Sequence, residues 1–216
     1  MVKNIWKLDK IFQLLFEDNP NPKTELKYIN QYTFLISVVL SAQTTDVAVN
    51  RATKDLFEIA KNPKEMVKLG ERNLIKYIKK IGLYNSKAKN IILLSKKLIN
   101  KYKSKIPKEF NELISLPGVG NKTASVYQNA ILKLPRIAVD THVFRVSNRI
   151  GIVSAKTTDL TQIQLEKVVP KKWLLDAHNL LILHGRRVCK SQRPLCKNCS
   201  IFNLCGYKEK KIYDDD

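Results

Sequence analysis

Leu116-Pro117-Gly118-Val119-Gly120-Asn121-Lys122-Thr123-Ala124 is the stretch whose reading decides the fold. A weakly amphipathic segment, 108–115, precedes it and a good helical run, 122–133, follows it. The order is helix, tight turn, helix. Pro117 fixes its own φ and stops the first helix. Gly118 and Gly120 admit left-handed backbone angles and let another molecule approach closely. Because the turn opens a helix, several N–H groups there lack internal partners and carry partial positive charge, which suits a phosphate. An ordinary helix–helix turn shares the Pro-Gly-x-Gly core. Lys122, just inside the second helix, and four cysteines far downstream set this one apart.

The chain of 216 residues is long enough for one large domain or two small ones with ample core. Its 39 Lys and Arg against 19 Asp and Glu leave a net charge of +20 and a pI near 9.8. Solubility needs far less, so the excess points to a polyanion, nucleic acid before anionic membrane. Biased codon usage also enriches Lys, Ile and Asn, so charge alone does not decide. No apolar run has transmembrane length, and the first 16 residues mix charge with apolar side chains, unlike a signal peptide. The expectation is a cytoplasmic, nucleoid-associated protein with no membrane partner.

Apolar residues recur at helical spacing over Ile5, Leu8, Ile11, Phe12 and Leu15, up to the breaker Asn19-Pro20-Asn21-Pro22. Segment 32–40 is apolar nearly all round, as a buried helix is. A turn at 41–46 leads to a helix that Thr45 or Asp46 can cap. Shorter segments at 64–69 and 73–81, a turn at 82–86, and helices at 87–101, 141–150, 160–168 and 171–184 complete the pattern. A short apolar run, 137–139, ends at Asp140. Nothing alternates with period two, so the fold class is all-α. The charged tail from 207 carries no assigned role.

All four cysteines lie in one loop, Cys189, Cys196, Cys199 and Cys205, with six, two and five residues between them. None remains elsewhere to cross-link the chain, which argues against a disulfide scaffold and for a metal or cluster site. Four thiolates so close can meet at one centre. Four-cysteine zinc sites are common, but zinc ribbons pair two C-x2-C knuckles and only one is present. A cubic 4Fe–4S cluster accepts unequal spacings. Arg186, Arg187, Lys190, Arg193 and Lys197 flank the ligands and can neutralise thiolates, contact phosphates, or both.

Six motifs spread over nearly the whole chain then resemble one family. They are Leu40-Ser41-Ala42-Gln43-Thr44-Thr45-Asp46, Ile81-Gly82-Leu83-Tyr84-Asn85-Ser86-Lys87, the Leu116 to Ala124 hairpin, Val139-Asp140-Thr141-His142-Val143-Phe144-Arg145, Leu183-His184-Gly185-Arg186, and the cysteine loop. The chain resembles the endonuclease III family, bifunctional DNA glycosylases and abasic-site lyases of base-excision repair. The resemblance implies two helical domains with a groove between them: a six-helix barrel at 22–133 with the helix–hairpin–helix, and a domain joining 1–21 to 134–216. The second domain holds a 4Fe–4S cluster on Cys189, Cys196, Cys199 and Cys205.

The same resemblance implies the chemistry. Lys122 matches the nucleophile that attacks C1′ of the damaged nucleotide, expels the base and leaves a Schiff base for β-elimination. A free lysine amine is protonated at neutral pH, so the reaction needs desolvation or a proton acceptor. Asp140 matches that acceptor, and its charge would stabilise the developing oxocarbenium ion; it can also simply cap the helix at Thr141. The amides of Gly118, Val119 and Gly120 would hold a phosphate. Gln43 matches a residue that fills the space left by the extruded base, and Leu83 one that wedges into the stack. For these two the alternatives are a loop amide and a core leucine. His142 is expected on the phosphate side or in a structural role, and His178 and His184 to pack or hydrogen-bond. The implied partner is double-stranded DNA with damaged or abasic sites, bound by a monomer, and the implied substrates are oxidised pyrimidines.

Two other readings compete. Adenine-mismatch glycosylases of the same superfamily share the hairpin, the Asp and the cluster, but lack the hairpin Lys and carry an extra C-terminal domain. A non-catalytic helix–hairpin–helix DNA-binding protein would not need both Lys122 and Asp140.

Overall fold

In the computed structural model the described residues are 5–210, and every regular element among them is helical. The first, α1 (Ile5–Asp18), buries Leu8, Ile11, Phe12 and Leu15 along one face. Next comes α2 (Gln31–Ser41), whose nine residues from Tyr32 to Leu40 are all buried. Asn30 and Thr33 form a reciprocal capping box at its start. Thr45 caps α3 (Asp46–Ile59), and Asn62 caps α4 (Pro63–Leu69), where proline occupies the first turn. Then follow α5 (Glu71–Ile78), α6 (Tyr84–Tyr102), α7 (Phe110–Ile114) and α8 (Asn121–Ala130). The chain continues with α9 (Thr141–Ile150), α10 (Thr158–Val168) and α11 (Ala177–Arg187).

The chain divides into two compact units, Glu25–Leu132 and a second that joins the first 24 residues to those from Lys133 onward. The Glu25–Leu132 unit holds α2 to α8 around Phe34, Leu35, Leu40, Leu56, Leu74, Ile91 and Leu94, with Val119 and Tyr127 closing the core. The discontinuous unit packs α1 and α9 against α11, and α10 against α9, around Phe12, Val143, Val146, Leu165, Leu180 and Leu181.

The observed elements depart from the expected ones in four places. The turn at 82–86 is shorter, because Leu83 adopts a left-handed conformation that lets α6 begin at Tyr84. The fifth helix begins at Glu71 and ends at Ile78, ahead of the expected 73–81. The run from 122 stops at Ala130 rather than 133, and Lys133 turns the chain at φ 56° just before Leu134 and Pro135. The helix expected over 171–184 is broken into a 3₁₀ turn, Lys171–Trp173, and α11. Trp173 causes that break: its indole is buried against Phe12 and Phe16, and its Nε1 donates to Asp9 Oδ1 at 2.7 Å. The part of the charged tail from 211 on lies outside the described residues.

Candidate functional site

The hairpin is held from beneath by apolar residues. Leu113, Leu116 and Val119 are buried, and the Val119 amide donates to Leu116 O at 3.0 Å. Val119 is therefore spent within the turn, by side chain and amide alike. Gly118 sits at φ 78°, and a Cβ there would come 3.0 Å from Cβ of Asn90. Gly120 precedes α8 without any side-chain cap, and a Cβ there would meet nothing within 4 Å. Among the described residues no acceptor takes the Gly118 or Gly120 amide. Of the three amides expected to hold a phosphate, that of Val119 is engaged within the turn. Lys122, the second residue of that helix, is exposed.

A second pair of loops stands in the same unit. Gln43 and Leu83 both occupy the left-handed region, at φ 54° and 59°, which costs an ordinary residue roughly 1–2 kcal/mol. Both are exposed. Leu83 is 62% accessible, which removes the alternative that it is a core leucine. The two loops lie side by side: a Cβ added at Gly82 would come 3.7 Å from the Gln43 carbonyl oxygen.

Asp140 caps α9, its Oδ1 accepting the amides of His142 at 2.9 Å and Val143 at 2.8 Å. The residues before it, Ile137, Ala138 and Val139, are buried. His142 is half-buried, with its Nδ1 3.2 Å from an Nη2 of Arg145. Burial pushes the His142 imidazole below the ordinary histidine range; Asp140 opposes that shift, while Arg145 and Arg186 add to it.

None of the four cysteines pairs in a disulfide. They line one pocket with Ile150, His184, Leu195, Ile201 and Phe202, enclosing about 370 Å³ of space that is partly open. Burial pushes the Cys199 thiol up to about 11 and raises Cys189 as well. Such thiols stay protonated until a cationic centre takes the proton's place. His184 lies 3.8 Å from Cys199 Sγ and is pushed down to about 4 by burial. Among the described residues no three His, Cys, Asp or Glu side chains are placed to hold one metal ion.

Sequence reasoning missed the residues that hold these parts in place. Arg145 donates to the carbonyls of Gly185 and Cys189 at 2.9 and 3.0 Å. Arg149 reaches Lys190 O at 2.6 Å, Ser191 O at 2.8 Å and Cys189 Sγ at 3.9 Å. The cysteine loop is thus tied to α9 by arginines more than 35 residues upstream of it. Only the Arg145 to Arg149 spacing, one helical turn, hinted at a shared face.

Comparisons with known proteins agree on one group. Residues 36–171 match the model of the HhH-GPD superfamily base excision DNA repair proteins. Endonuclease III of Rickettsia conorii is 52% identical over 93% of this chain and 95% of its own. Endonuclease III of Escherichia coli K12 is 46% identical with the same two coverages, 93% and 95%. A solved trapped endonuclease III–DNA covalent intermediate superposes with a TM-score of 0.88 at 38% identity, covering 94% of this chain and 96% of that one. A thermostable thymine-DNA glycosylase superposes at 0.82 with 23% identity, which speaks to the fold alone. Among the described residues no helix is long and apolar enough to cross a membrane.

Proposed function

The chain belongs to the HhH-GPD superfamily of base excision DNA repair proteins, and from that premise we propose that Lys122 and Asp140 carry its chemistry on oxidised pyrimidines in duplex DNA. Its relatives over nearly the whole chain are endonuclease III enzymes, so the activity is that of a DNA glycosylase and abasic-site lyase. One observation carries the assignment of residues: Lys122 is exposed on the opening turn of α8, beside an uncapped glycine. A lysine there can meet a sugar held by the phosphate that the same helix start attracts.

The Lys122 amine attacks C1′ as the C1′–N bond to the base breaks, and the departing base takes up a proton. The secondary amine opens the sugar ring to a Schiff base. Loss of the C2′ proton then expels the 3′ phosphate, and water hydrolyses the imine to free the lysine. Asp140 accepts a proton from the Lys122 ammonium, freeing the amine to attack, and its negative charge stabilises the sugar cation as the base leaves. Both capping bonds go to Oδ1, and a carboxylate can cap a helix and accept a proton. The amides at Gly118 and Gly120 seat a phosphate, Gln43 and Leu83 enter the stack, and His142 stands on the phosphate side. The protein acts as a monomer in the cytoplasm on damaged or abasic duplexes.

The donor set favours a 4Fe–4S cluster over zinc. Zinc ribbons pair two C-x2-C knuckles, and this loop has only one. A cubic cluster takes one thiolate on each iron and spreads them, as a shared pocket allows. Cys189, Cys196, Cys199 and Cys205 would hold it, and it would supply cross-linking of the loop.

Borohydride trapping on abasic DNA tests the reading. The parent protein becomes covalently attached, and Lys122→Ala does not, while both keep salt-sensitive DNA binding. Retained trapping by Lys122→Ala would place the nucleophile elsewhere, and a parent that binds without trapping would be a non-catalytic DNA-binding protein.

A further inference from the structure

The geometry points to Lys87 as a positioning residue for damage recognition, one that clamps the end of α2 to the start of α6 and holds Gln43 and Leu83 as a single preformed wedge. The inference rests on the reading above that these two residues enter the DNA stack. Lys87 is only 6% exposed in a chain that carries 39 Lys and Arg. Lysine is rarely buried so deeply without a carboxylate. Here the Nζ donates to Leu40 O at 2.9 Å, Ala42 O at 2.6 Å and Thr44 Oγ1 at 3.0 Å. Three N–H donors meet three oxygens, all of them neutral.

Those acceptors explain the burial. Leu40 and Ala42 close the C-terminal end of α2, where carbonyls lack helical partners. The last turn of α2 has no basic residue of its own. Lys87 supplies both the donors and the positive charge that a helix C-terminus favours, but from another helix. The third bond, to Thr44, crosses to the far side of Gln43, so the three contacts bracket that residue. The backbone of Lys87 acts on the other loop: its N–H donates to Leu83 O at 3.0 Å, closing the first turn of α6.

One residue therefore holds Gln43 through its side chain and Leu83 through its backbone. Both held residues have left-handed dihedrals, and such conformations persist only where the surroundings over-determine them. A wedge ordered in advance loses less entropy when DNA binds. Burial also pulls the Lys87 amine below the usual lysine range, as a desolvated clamp should show.

Lys87→Met keeps the aliphatic stem and removes the ammonium. Two assays are run in parallel: single-turnover base removal from a duplex, and trapping on a single-stranded oligonucleotide with a preformed abasic site, where no base has to leave a stack. The expected result is a loss of about 10- to 100-fold in the duplex assay with trapping on the single strand kept. Gln43→Ala should add little on the Lys87→Met background, because the two act through one element. Parent-like duplex turnover, or an equal loss in both assays, would overturn the inference. If Lys87→Met does not fold, Thr44→Val removes one acceptor and is judged by the same split, with no duplex-specific loss counting against the clamp. A parent protein that fails to trap would refute the enzymatic assignment instead, whatever Lys87 does.

Discussion

The imidazole Nδ1 of His178 lies 2.7 Å from the carbonyl oxygen of Ala138, two residues ahead of Asp140. The acceptor is a carbonyl, so Nδ1 carries the proton. One residue earlier, the Ile137 amide donates to Glu166 Oε1 at 3.1 Å. The buried run into Asp140 is thus fastened to α11 and to α10. His178→Ala leaves a buried carbonyl unpaired and should cost about 1–3 kcal/mol. Denaturant melts check the cost. Base removal should slow as well, and a variant that matches the parent in both would show that the run holds itself.

Asp140 has two roles that substitutions can separate. Asparagine caps helices as well as aspartate does, whereas alanine costs about 0.5–2 kcal/mol at such a site. Asp140→Asn should melt with the parent yet remove bases about 10²–10⁴ times more slowly. Asp140→Ala should lose both stability and turnover. Near-normal turnover in Asp140→Asn would leave the residue as a cap alone.

Two glycines should respond in opposite ways to alanine. A Cβ at Gly185 would lie 2.9 Å from Val146 Cγ2 and 3.1 Å from His142 Cβ, where α9 and α11 meet. Gly185→Ala should therefore destabilise by about 1–3 kcal/mol. Gly120→Ala meets nothing within 4 Å at an ordinary φ of −95°. Its thermal melt should stay close to the parent's, while affinity for duplex DNA falls because the methyl crowds the proposed phosphate seat. Unchanged DNA affinity would move the phosphate elsewhere.

Acid should weaken the fold through His142. Its imidazole is held below the ordinary value by burial, so below about pH 6.5 the unfolded chain takes up a proton that the folded chain resists. This contribution to stability is fully present above that pH and is lost as pH falls toward the depressed folded value. Melting temperature measured from pH 7.5 downward should fall, and His142→Gln should fall less steeply. An identical slope in the variant would assign the loss to other groups.

Purified protein should carry about four irons per chain with visible absorption. Removing the centre should lower the melting temperature, since binding at such a site is coupled to folding. Cys199→Ser should do the same. Colourless protein loaded with zinc would overturn the cluster.

Much of this protein could be read before any coordinates. The apolar period of α1, the all-round apolar stretch of α2 and the Pro-Gly-x-Gly turn depend on neighbours in the chain, and so they are legible in the chain. Element boundaries were less so. Leu83 and Lys133 turn left-handed without any local signal for it, and Trp173 leaves its helix for Asp9, a contact from far along the chain that overrides local preference.

The residue types themselves determined an all-helical, strongly basic chain with a glycine hairpin, a lysine behind it, an aspartate heading a helix and four thiols in one loop. Those features follow from side-chain chemistry at short range, which order along the chain records directly. Tertiary structure alone decided that the Val119 side chain is buried, that Leu83 faces solvent, and that Lys87 is buried on the end of α2. Each of these turns on which groups water reaches, and that depends on segments 43 to 47 residues apart in the case of Lys87. One lysine in a chain rich in them becomes a clamp only when folding encloses it among three oxygens.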